Sequence, residues 1–211
     1  MLDKKDIINF LKEIATCLEL LGENPFKSNS YRKAVRTIEN TDDDIIELIK
    51  HNHLTNLKGI GKAISEKIYD LFSSGSSLYL KELKEKIPDG IFDILKLKGL
   101  GTKKVKELWD FLEITNITEL EYACNENRLV LLKGFGEKTQ TNVLNAINKF
   151  KEYKGWYLYS EAEKEVERLI QLLSKNPNIE RLACAGDFRR GMPIINTIIL
   201  VAGTNKPNLD I

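Results

Sequence analysis

The sequence predicts a mainly α-helical protein that ends in a smaller region of mixed α and β structure. Three observations lead to this expectation. Over most of the chain, apolar residues recur with the 3.6-residue period of a helix. A motif of the form Leu-Lys-Gly-apolar-Gly occurs three times, each time before a further helical pattern. Two apolar runs, 179–185 and 193–202, come near the end and are typical of strands.

The composition indicates a globular chain with no overall charge preference. Hydrophobic residues make up 42% of the 211 residues, and 32 Lys+Arg against 31 Asp+Glu leave a formal net charge of +1. No apolar run approaches the ~18 residues of a membrane helix, and the N-terminus lacks a signal-peptide core. The three cysteines are far apart and odd in number, so disulfides and a zinc knuckle are not expected. We therefore expect a cytoplasmic protein.

The helical part begins with an apolar stripe from Asp3 to Leu21. Glycine or proline at 22, 75, 88–90 and 155 separates the helices that follow. Three pairs have the spacing of a capping box, in which a hydroxyl and a carboxylate satisfy backbone amides at a helix start. These pairs are Thr41 with Asp44, Thr118 with Glu121, and Ser160 with Glu163, the last opening a helix that runs to Leu173.

The repeated motif is the strongest signal in the sequence. Its copies are LKGIGKAISEKI (Leu57–Ile68), LKGLGTKKVKEL (Leu97–Leu108) and LKGFGEKTQTNV (Leu132–Val143). Glycines on either side of an apolar residue predict a tight turn, because glycine accepts positive φ and leaves the backbone uncovered. The apolar residue is expected to point inward and anchor the turn, and the next helix starts at once.

A helix that starts directly after such a turn directs its first amides and the positive end of its dipole outward. That arrangement binds anions, and a DNA phosphate fits it without any reading of base sequence. One copy is equally typical of a helix C-cap, but three copies with the same Leu-Lys favour phosphate binding. The residues expected to bind DNA are Lys58, Gly59, Gly61, Lys62, Lys98, Gly99, Gly101, Lys103, Lys104, Lys133, Gly134, Gly136 and Lys138.

These turns resemble helix-hairpin-helix motifs, and their order resembles the family X DNA polymerases, the group of DNA polymerase beta and its bacterial relatives. The resemblance begins at GENPFKSNSYRKA (Gly22–Ala34) and reaches AGDFRRG (Ala185–Gly191), which is similar to the family's G-S-x-R-R-G. It implies an N-terminal lyase-like domain with the first motif over 1–85. It further implies a DNA-binding thumb- or fingers-like subdomain with two motifs over 88–152, and a small, incomplete α+β palm fragment over 153–211.

In that family the N-terminal domain binds a 5′ phosphate at a DNA gap, and in several members a lysine removes 5′-deoxyribose phosphate through a Schiff base. The matching lysine is Lys67, and Lys27 and Tyr31 match residues that line the same pocket. One departure is Ala63, which stands where the family has a phosphate-binding lysine that Lys62, one position earlier, would have to replace. An ordinary lysine amine is almost fully protonated at pH 7, so Lys67 must be neutralised by burial or neighbouring cations. A solvated lysine or a simple phosphate contact is the alternative.

The palm region departs further from the family. In catalytic members, G-S-x-R-R-G is followed after five residues by two magnesium-binding aspartates, and here Thr197 and Ile199 occupy those positions. Neither can replace a carboxylate ligand. Asp187 replaces the serine that contacts the triphosphate, beside the retained Arg189 and Arg190, and the chain ends before a complete palm. We therefore expect neither nucleotidyl transfer nor a divalent metal, and the two histidines, His51 and His53, suggest no other metal site.

The sequence as a whole favours sequence-independent binding of gapped, nicked or primer-template DNA in repair, at the nucleoid. Lyase activity at Lys67 is the alternative from the enzyme class. A third reading is a non-catalytic adaptor built from helix-hairpin-helix motifs. No cofactor is required for binding, although the resemblance allows a monovalent cation at the hairpins, and the oligomeric state is left open.

Overall fold

The computed structural model describes residues 3–204 and confirms a mainly α-helical fold with a small α+β part. The first nine helices are α1 (Lys4–Leu20), α2 (Pro25–Asn40), α3 (Ile45–Lys50), α4 (Lys62–Ser74), α5 (Leu78–Glu85), α6 (Asp89–Leu95), α7 (Thr102–Leu112), α8 (Ile117–Asn125) and α9 (Glu137–Tyr153). Short 3-10 turns at Leu54–Asn56 and Leu129–Leu131 precede α4 and α9. The remaining elements are β1 (Tyr157–Leu158), α10 (Tyr159–Leu173), β2 (Arg181–Ala185), α11 (Gly186–Arg189), β3 (Ile194–Ile195) and β4 (Ile199–Gly203).

The chain divides into two compact units between Asn148 and Lys149. The core of the first unit starts with α1 and α2, which pack against each other. The predicted stripe of α1 is buried, with Leu11, Ile14 and Leu18 fully enclosed, and α2 contributes Ala34 and Ile38. Burial of each of these leucine and isoleucine side chains contributes about 1.5–3 kcal/mol, so this pair of helices is a main source of stability for the N-terminal part.

Helix α7 attaches the second half of this unit to α1. The Lys106 ammonium donates a hydrogen bond to the Leu20 carbonyl at 3.1 Å and pairs with Asp110 at 2.8 Å. A cation at the end of a helix is favourable, because the last carbonyls and the negative end of the dipole lie there. A second ion pair links α5 to α1 through Lys84 and Glu13 at 2.6 Å. The segments around the first and second repeats are therefore packed in one unit.

The helix starts show which residues act as caps. Asp3 and Asp6 form a reciprocal capping box at α1, with bonds of 2.8 and 2.9 Å. All three predicted capping boxes are wrong, because the observed N-caps lie two or three residues from the predicted ones. Asp44 caps α3, while the Thr41 hydroxyl bonds to Asp43. The N-caps of the other two helices are Asn116, whose side chain accepts from Glu119 N, and Leu158, whose N–H donates to Glu161. Neither Thr118 nor Ser160 is therefore the N-cap of its helix.

The second unit contains two small antiparallel sheets. Strand β1 pairs with β3, and β2 pairs with β4 in a register that places Ala185 opposite Ile199. The run 193–202, which suggests one strand, is two strands that belong to different sheets, and the turn between them allows the exchange. Few side chains of this unit are buried, among them Ala162 and Val166 of α10 and Ile195 of β3.

Candidate nucleic-acid interface

The three repeated segments form the same turn. In each, the first glycine has positive φ, at +108° for Gly59, +93° for Gly99 and +87° for Gly134. The central apolar side chain is buried, and its N–H donates to the carbonyl of the repeat's leucine three residues earlier. These bonds are Ile60 to Leu57 at 3.0 Å, Leu100 to Leu97 at 3.2 Å, and Phe135 to Leu132 at 3.1 Å. The predicted inward anchor of each turn is present.

The second glycine of each repeat, unlike the first, does not have a positive φ. Gly61 and Gly101 adopt φ of −88° and −90°, which any residue accepts. A Cβ added at Gly61, Gly101 or Gly136 would meet no atom of the chain within 4 Å. Neither conformation nor internal packing therefore requires glycine at Gly61 or Gly101. Its recurrence at this place in all three repeats leaves the backbone bare on the outside of each turn.

Helices α4 and α7 begin at these bare glycines without a side-chain cap. By contrast, Asp3, Asn24, Asp44, Ser77 and Asn116 cap α1, α2, α3, α5 and α8. The first amides of a helix have no intrahelical acceptor, and together they carry about half a positive charge. The two turns therefore expose backbone donors that side chains satisfy at those five helices, and α6, α10 and α11 also begin without a side-chain cap.

Lysine side chains surround the turns. Six of the seven singled out from the sequence are exposed, namely Lys58, Lys62, Lys98, Lys103, Lys133 and Lys138. The seventh, Lys104, is half-buried, with its amine 5.5 Å from the centroid of the Phe135 ring. A cation at this distance interacts favourably with the ring face. Lys104 therefore connects the helix of the second repeat to the turn of the third.

Helix α2 supplies two contacts to the first turn that sequence reasoning missed. The Thr37 hydroxyl donates to the Lys58 carbonyl at 2.9 Å. The Lys33 side chain lies against Gly59, where its Cε would be 3.2 Å from an added Cβ. Lys33 thereby adds a further amine beside the first turn. The i,i+4 spacing of these residues on α2 shows that they share a helix face, but not that the face meets this turn.

The three residues expected near a lyase site are brought together by a fourth, Tyr79 of α5. The Lys67 amine lies 4.0 Å from the centroid of the Tyr79 ring, and the Lys27 amine lies 5.9 Å from it. Lys27 also pairs with Glu23 at 3.5 Å. Lys62, the other proposed neighbour, is 90% exposed and lies 4.0 Å from Glu66.

The tyrosines of this cluster are perturbed by burial and by each other. Burial, together with the neighbouring Tyr79 phenol, raises the pKa of Tyr31 well above its ordinary range. Partial burial works to lower the pKa of Lys27, but the Tyr79 hydroxyl and Glu23 outweigh it and the net direction is upward. Although it affects both groups, the buried Tyr79 hydroxyl has no hydrogen-bond partner of good geometry within residues 3–204.

The residues singled out in the C-terminal unit lie around α11 and β4. Asp187 forms an ion pair with Arg190, and Arg189 is exposed. Thr197 is exposed in the turn between β3 and β4. Ile199 opens β4, and its Cδ1 lies against the Gly186 backbone, 2.9 Å from where a Cβ would stand. Neither Thr197 nor Ile199 offers a carboxylate, so these residues do not fit a pair of magnesium ions.

A cleft of about 440 Å³ lies beside Thr197, with Glu161 and Glu165 of α10 on its wall. Both carboxylates have partners. Glu161 accepts the Leu158 N–H at 3.0 Å, and the hydrogen bonds from Arg168 lower the pKa of Glu165. Over residues 3–204, no three His, Cys, Asp or Glu side chains are grouped so as to hold a metal ion. None of the helices in that range combines the length and apolar character needed to cross a membrane.

Comparison with known proteins matches almost the whole chain to one relative. Residues 3–77 match a family described as a helix-hairpin-helix domain. Over 204 residues, 97% of this chain, the sequence is 31% identical to the DNA polymerase/3'-5' exonuclease PolX of Bacillus subtilis. A stretch of 68 residues is 38% identical to a DNA ligase of Clostridium botulinum. The chain spans 35% of the length of the first relative and 10% of the second.

Proposed function

We propose that this chain, which is similar to a family X DNA polymerase over 97% of its length, binds DNA through its three hairpin turns, without sequence preference, at gaps, nicks or primer-template junctions. Its proposed setting is DNA repair at the nucleoid. The turns present backbone amides and lysines, which recognise phosphates rather than base edges. Such binding needs no large net charge, which agrees with the formal charge of +1.

The observation that carries this proposal is the bare second glycine of each turn. A side chain at Gly61, Gly101 or Gly136 would find open space in the protein. Glycine is needed at this position if a ligand approaches the backbone closely, because any side chain would stand in its way. The uncapped amides of α4 and α7 favour a negatively charged ligand. A DNA phosphate satisfies both conditions. The same turns are the proposed place for a monovalent cation.

Fluorescence anisotropy with a labelled one-nucleotide-gapped duplex tests the proposal. Binding is expected at low salt and should weaken as salt rises, with a slope of about −0.9 in log K per phosphate contacted. Two gapped duplexes of unrelated sequence should bind equally, and an intact duplex should bind more weakly. No affinity for the gapped duplex at low ionic strength, or a strong preference for one sequence, would contradict the proposal.

Lyase activity at Lys67 is the second candidate, favoured by the convergence of Lys67 and Lys27 on one tyrosine ring. In this reaction the neutral amine attacks the sugar aldehyde, water leaves, and the resulting imine can be reduced by borohydride. Trapping on an incised abasic duplex should therefore label the wild type and not Lys67→Ala. Lys81→Ala is the matched control, since Lys81 is exposed on α5. Equal trapping in the two variants would exclude Lys67 as the nucleophile.

A non-catalytic adaptor is a third proposal and shares the DNA-binding surface with the first. The match to PolX over 97% of this chain favours a polymerase-like origin over a simple array of hairpins, since the ligase match covers 32%. Thr197 and Ile199 stand where the resemblance requires carboxylates, so we propose that this segment performs no nucleotidyl transfer. Nucleotide incorporation on a primed template by this chain would refute that statement.

A further inference from the structure

Two large aromatic side chains are exposed around the end of α9. Tyr153 and Trp156 are 55% and 40% exposed, and neither ring stacks on another aromatic ring within residues 3–204. By contrast, Tyr159 is half-buried and lies nearly parallel to Phe188, with 4.7 Å between the two ring centroids. Tyr159 thus has an internal stacking partner of a kind that the two exposed rings lack.

A tight turn brings the two exposed rings together. The Trp156 N–H donates to the Tyr153 carbonyl at 2.9 Å, which closes a turn of four residues. Its third residue, Gly155, has φ of +87°, as that position of a type II β-turn requires. The Cα atoms at the two ends of a β-turn are less than about 7 Å apart. Two rings that hold one base between them stand about as far apart, because stacked bases repeat every ~3.4 Å.

Lysines flank this turn. Lys154 is its second residue and is exposed. Lys149 is also exposed, and its position four residues before Tyr153 on α9 places both on one face of the helix. Glu152 is the only acidic residue from 149 to 158. Exposed aromatic rings among lysines are typical of single-strand binding, in which bases stack on the rings and the amines attract the backbone. An intact duplex offers these rings no free base, because its bases stack on each other.

We propose that Tyr153, Lys154 and Trp156 form a second DNA site, which binds an unpaired nucleotide of a single strand by stacking its base on the two rings. Lys154 and Lys149 attract the adjoining phosphates. The site uses none of the residues of the hairpin turns and so goes beyond the proposed function. It selects for bases outside a duplex, whereas the turns present groups that recognise phosphates. Because every base has a face that stacks, no sequence preference is expected.

The test compares two labelled single strands of about ten nucleotides, an oligothymidylate and an abasic strand that keeps the sugars and phosphates but has no bases. Fluorescence anisotropy gives the affinity of the full chain for each strand. The wild type should bind the oligothymidylate at least about fivefold more tightly, because only that strand offers bases to the rings. Alanine at Tyr153 and Trp156 together should bring this ratio close to one, and Trp156→Phe, which retains a ring, should keep most of it.

Three further measurements separate stacking from other effects. Tyr122→Ala removes a tyrosine of similar exposure, 62%, from α8 and should leave the ratio unchanged. Lys154→Ala should keep the ratio but reduce the salt slope for both strands by about 0.7, the value of one phosphate contact on a single strand. The oligothymidylate should quench tryptophan fluorescence in the wild type and not in Trp156→Phe. Circular dichroism checks that each variant is folded.

A ratio near one in the wild type, or no binding of the oligothymidylate, would overturn the inference. A ratio that persists in the double alanine variant would do the same. Self-association that the double variant abolishes, without any effect of bases, would show that the rings form a protein contact instead. A gapped duplex is measured in parallel. If it fails to bind while the oligothymidylate keeps its advantage, the hairpin proposal is refuted and the site at Tyr153 and Trp156 is supported.

Discussion

Alanine at Gly101 is expected to weaken DNA binding while leaving the fold intact, and alanine at Gly75 should do the reverse. Both glycines face open space, since an added Cβ would meet nothing within 4 Å. They differ in backbone conformation. Gly101 has φ of −90° and ψ of 169°, which alanine adopts freely, whereas Gly75 caps the end of α4 with φ of +70°.

The expected stability changes follow from these angles. At Gly101, alanine is a poorer N-cap than glycine by up to about 1 kcal/mol. Restricting the unfolded chain returns about 0.4–1 kcal/mol, so the net change should stay within about 0.5 kcal/mol. At Gly75, a left-handed conformation costs alanine about 1–2 kcal/mol. Urea unfolding followed by circular dichroism measures both differences.

The expected change in DNA binding is the opposite. A methyl group at Gly101 holds a phosphate away from the first amides of α7, and one hydrogen bond to a charged group contributes about 1.5–3 kcal/mol. Loss of that bond raises the Kd by about tenfold or more. Gly75 lies at the other end of a hairpin helix, so Gly75→Ala should retain wild-type affinity at a temperature where it is fully folded.

Anisotropy with a gapped duplex lacking a 5′ phosphate provides the binding assay, because that substrate reports the turns rather than the Lys67 site. Wild-type affinity in Gly101→Ala would show that no phosphate approaches this glycine closely. A loss of more than about 2 kcal/mol in the stability of Gly101→Ala would show that the added methyl group meets other atoms in solution, since surface substitutions away from special features cost far less.

Three further predictions concern packing, titration and charge. Gly90→Ala should cost about 3 kcal/mol in urea unfolding, because its Cβ would stand 2.4 Å from the Thr115 carbonyl oxygen. Burial raises the pKa of Cys17 and of Cys124 to about 11 from the ordinary 9.0. Between these two pH values the thiols are protonated in the folded chain and lose their protons when it unfolds. Stability present below pH 9 should therefore decline as pH rises towards 11, and alanine at both positions should flatten that decline. Glu137→Gln, which removes a carboxylate from the first turn of α9, should strengthen DNA binding at low salt by about two- to threefold, and weaker binding would contradict this.

The turns and their anchors could be predicted from sequence because the required conformations belong to particular residue types. A positive φ at Gly59, Gly99 and Gly134 strongly favours glycine, and a buried anchor requires an apolar residue. Helix caps were less predictable. Several short polar residues compete near each start, and the choice of Asp44 over Thr41 depends on local backbone angles that residue spacing does not reveal.

The residues of the candidate site that could not be predicted from the sequence are brought there by tertiary packing. Lys33 and Tyr79 lie on helices that the repeated motif does not include, and their contacts with Gly59 and Lys67 appear only when α2, α4 and α5 are assembled. Likewise, the apolar run 193–202 is correctly interpreted as strand, but its sequence does not show that its two halves join different sheets. Local patterns identify the elements, whereas pairing depends on distant residues.

The three turns have the same backbone conformation but differ in the charge of the residues around them. We therefore expect them to contribute differently to DNA binding. Helices α4 and α7 begin with Lys62 and Thr102, whereas α9 begins with Glu137, whose carboxylate is stabilised by the same helix dipole that would hold a phosphate. The third turn therefore partly satisfies its own anion site. Lys104, over the Phe135 ring, brings a cation of the second repeat beside that turn. We therefore expect the second and third turns to act as one phosphate-binding surface in which α7 supplies most of the attraction, and the first turn, with Lys33 and Lys58, to bind on its own.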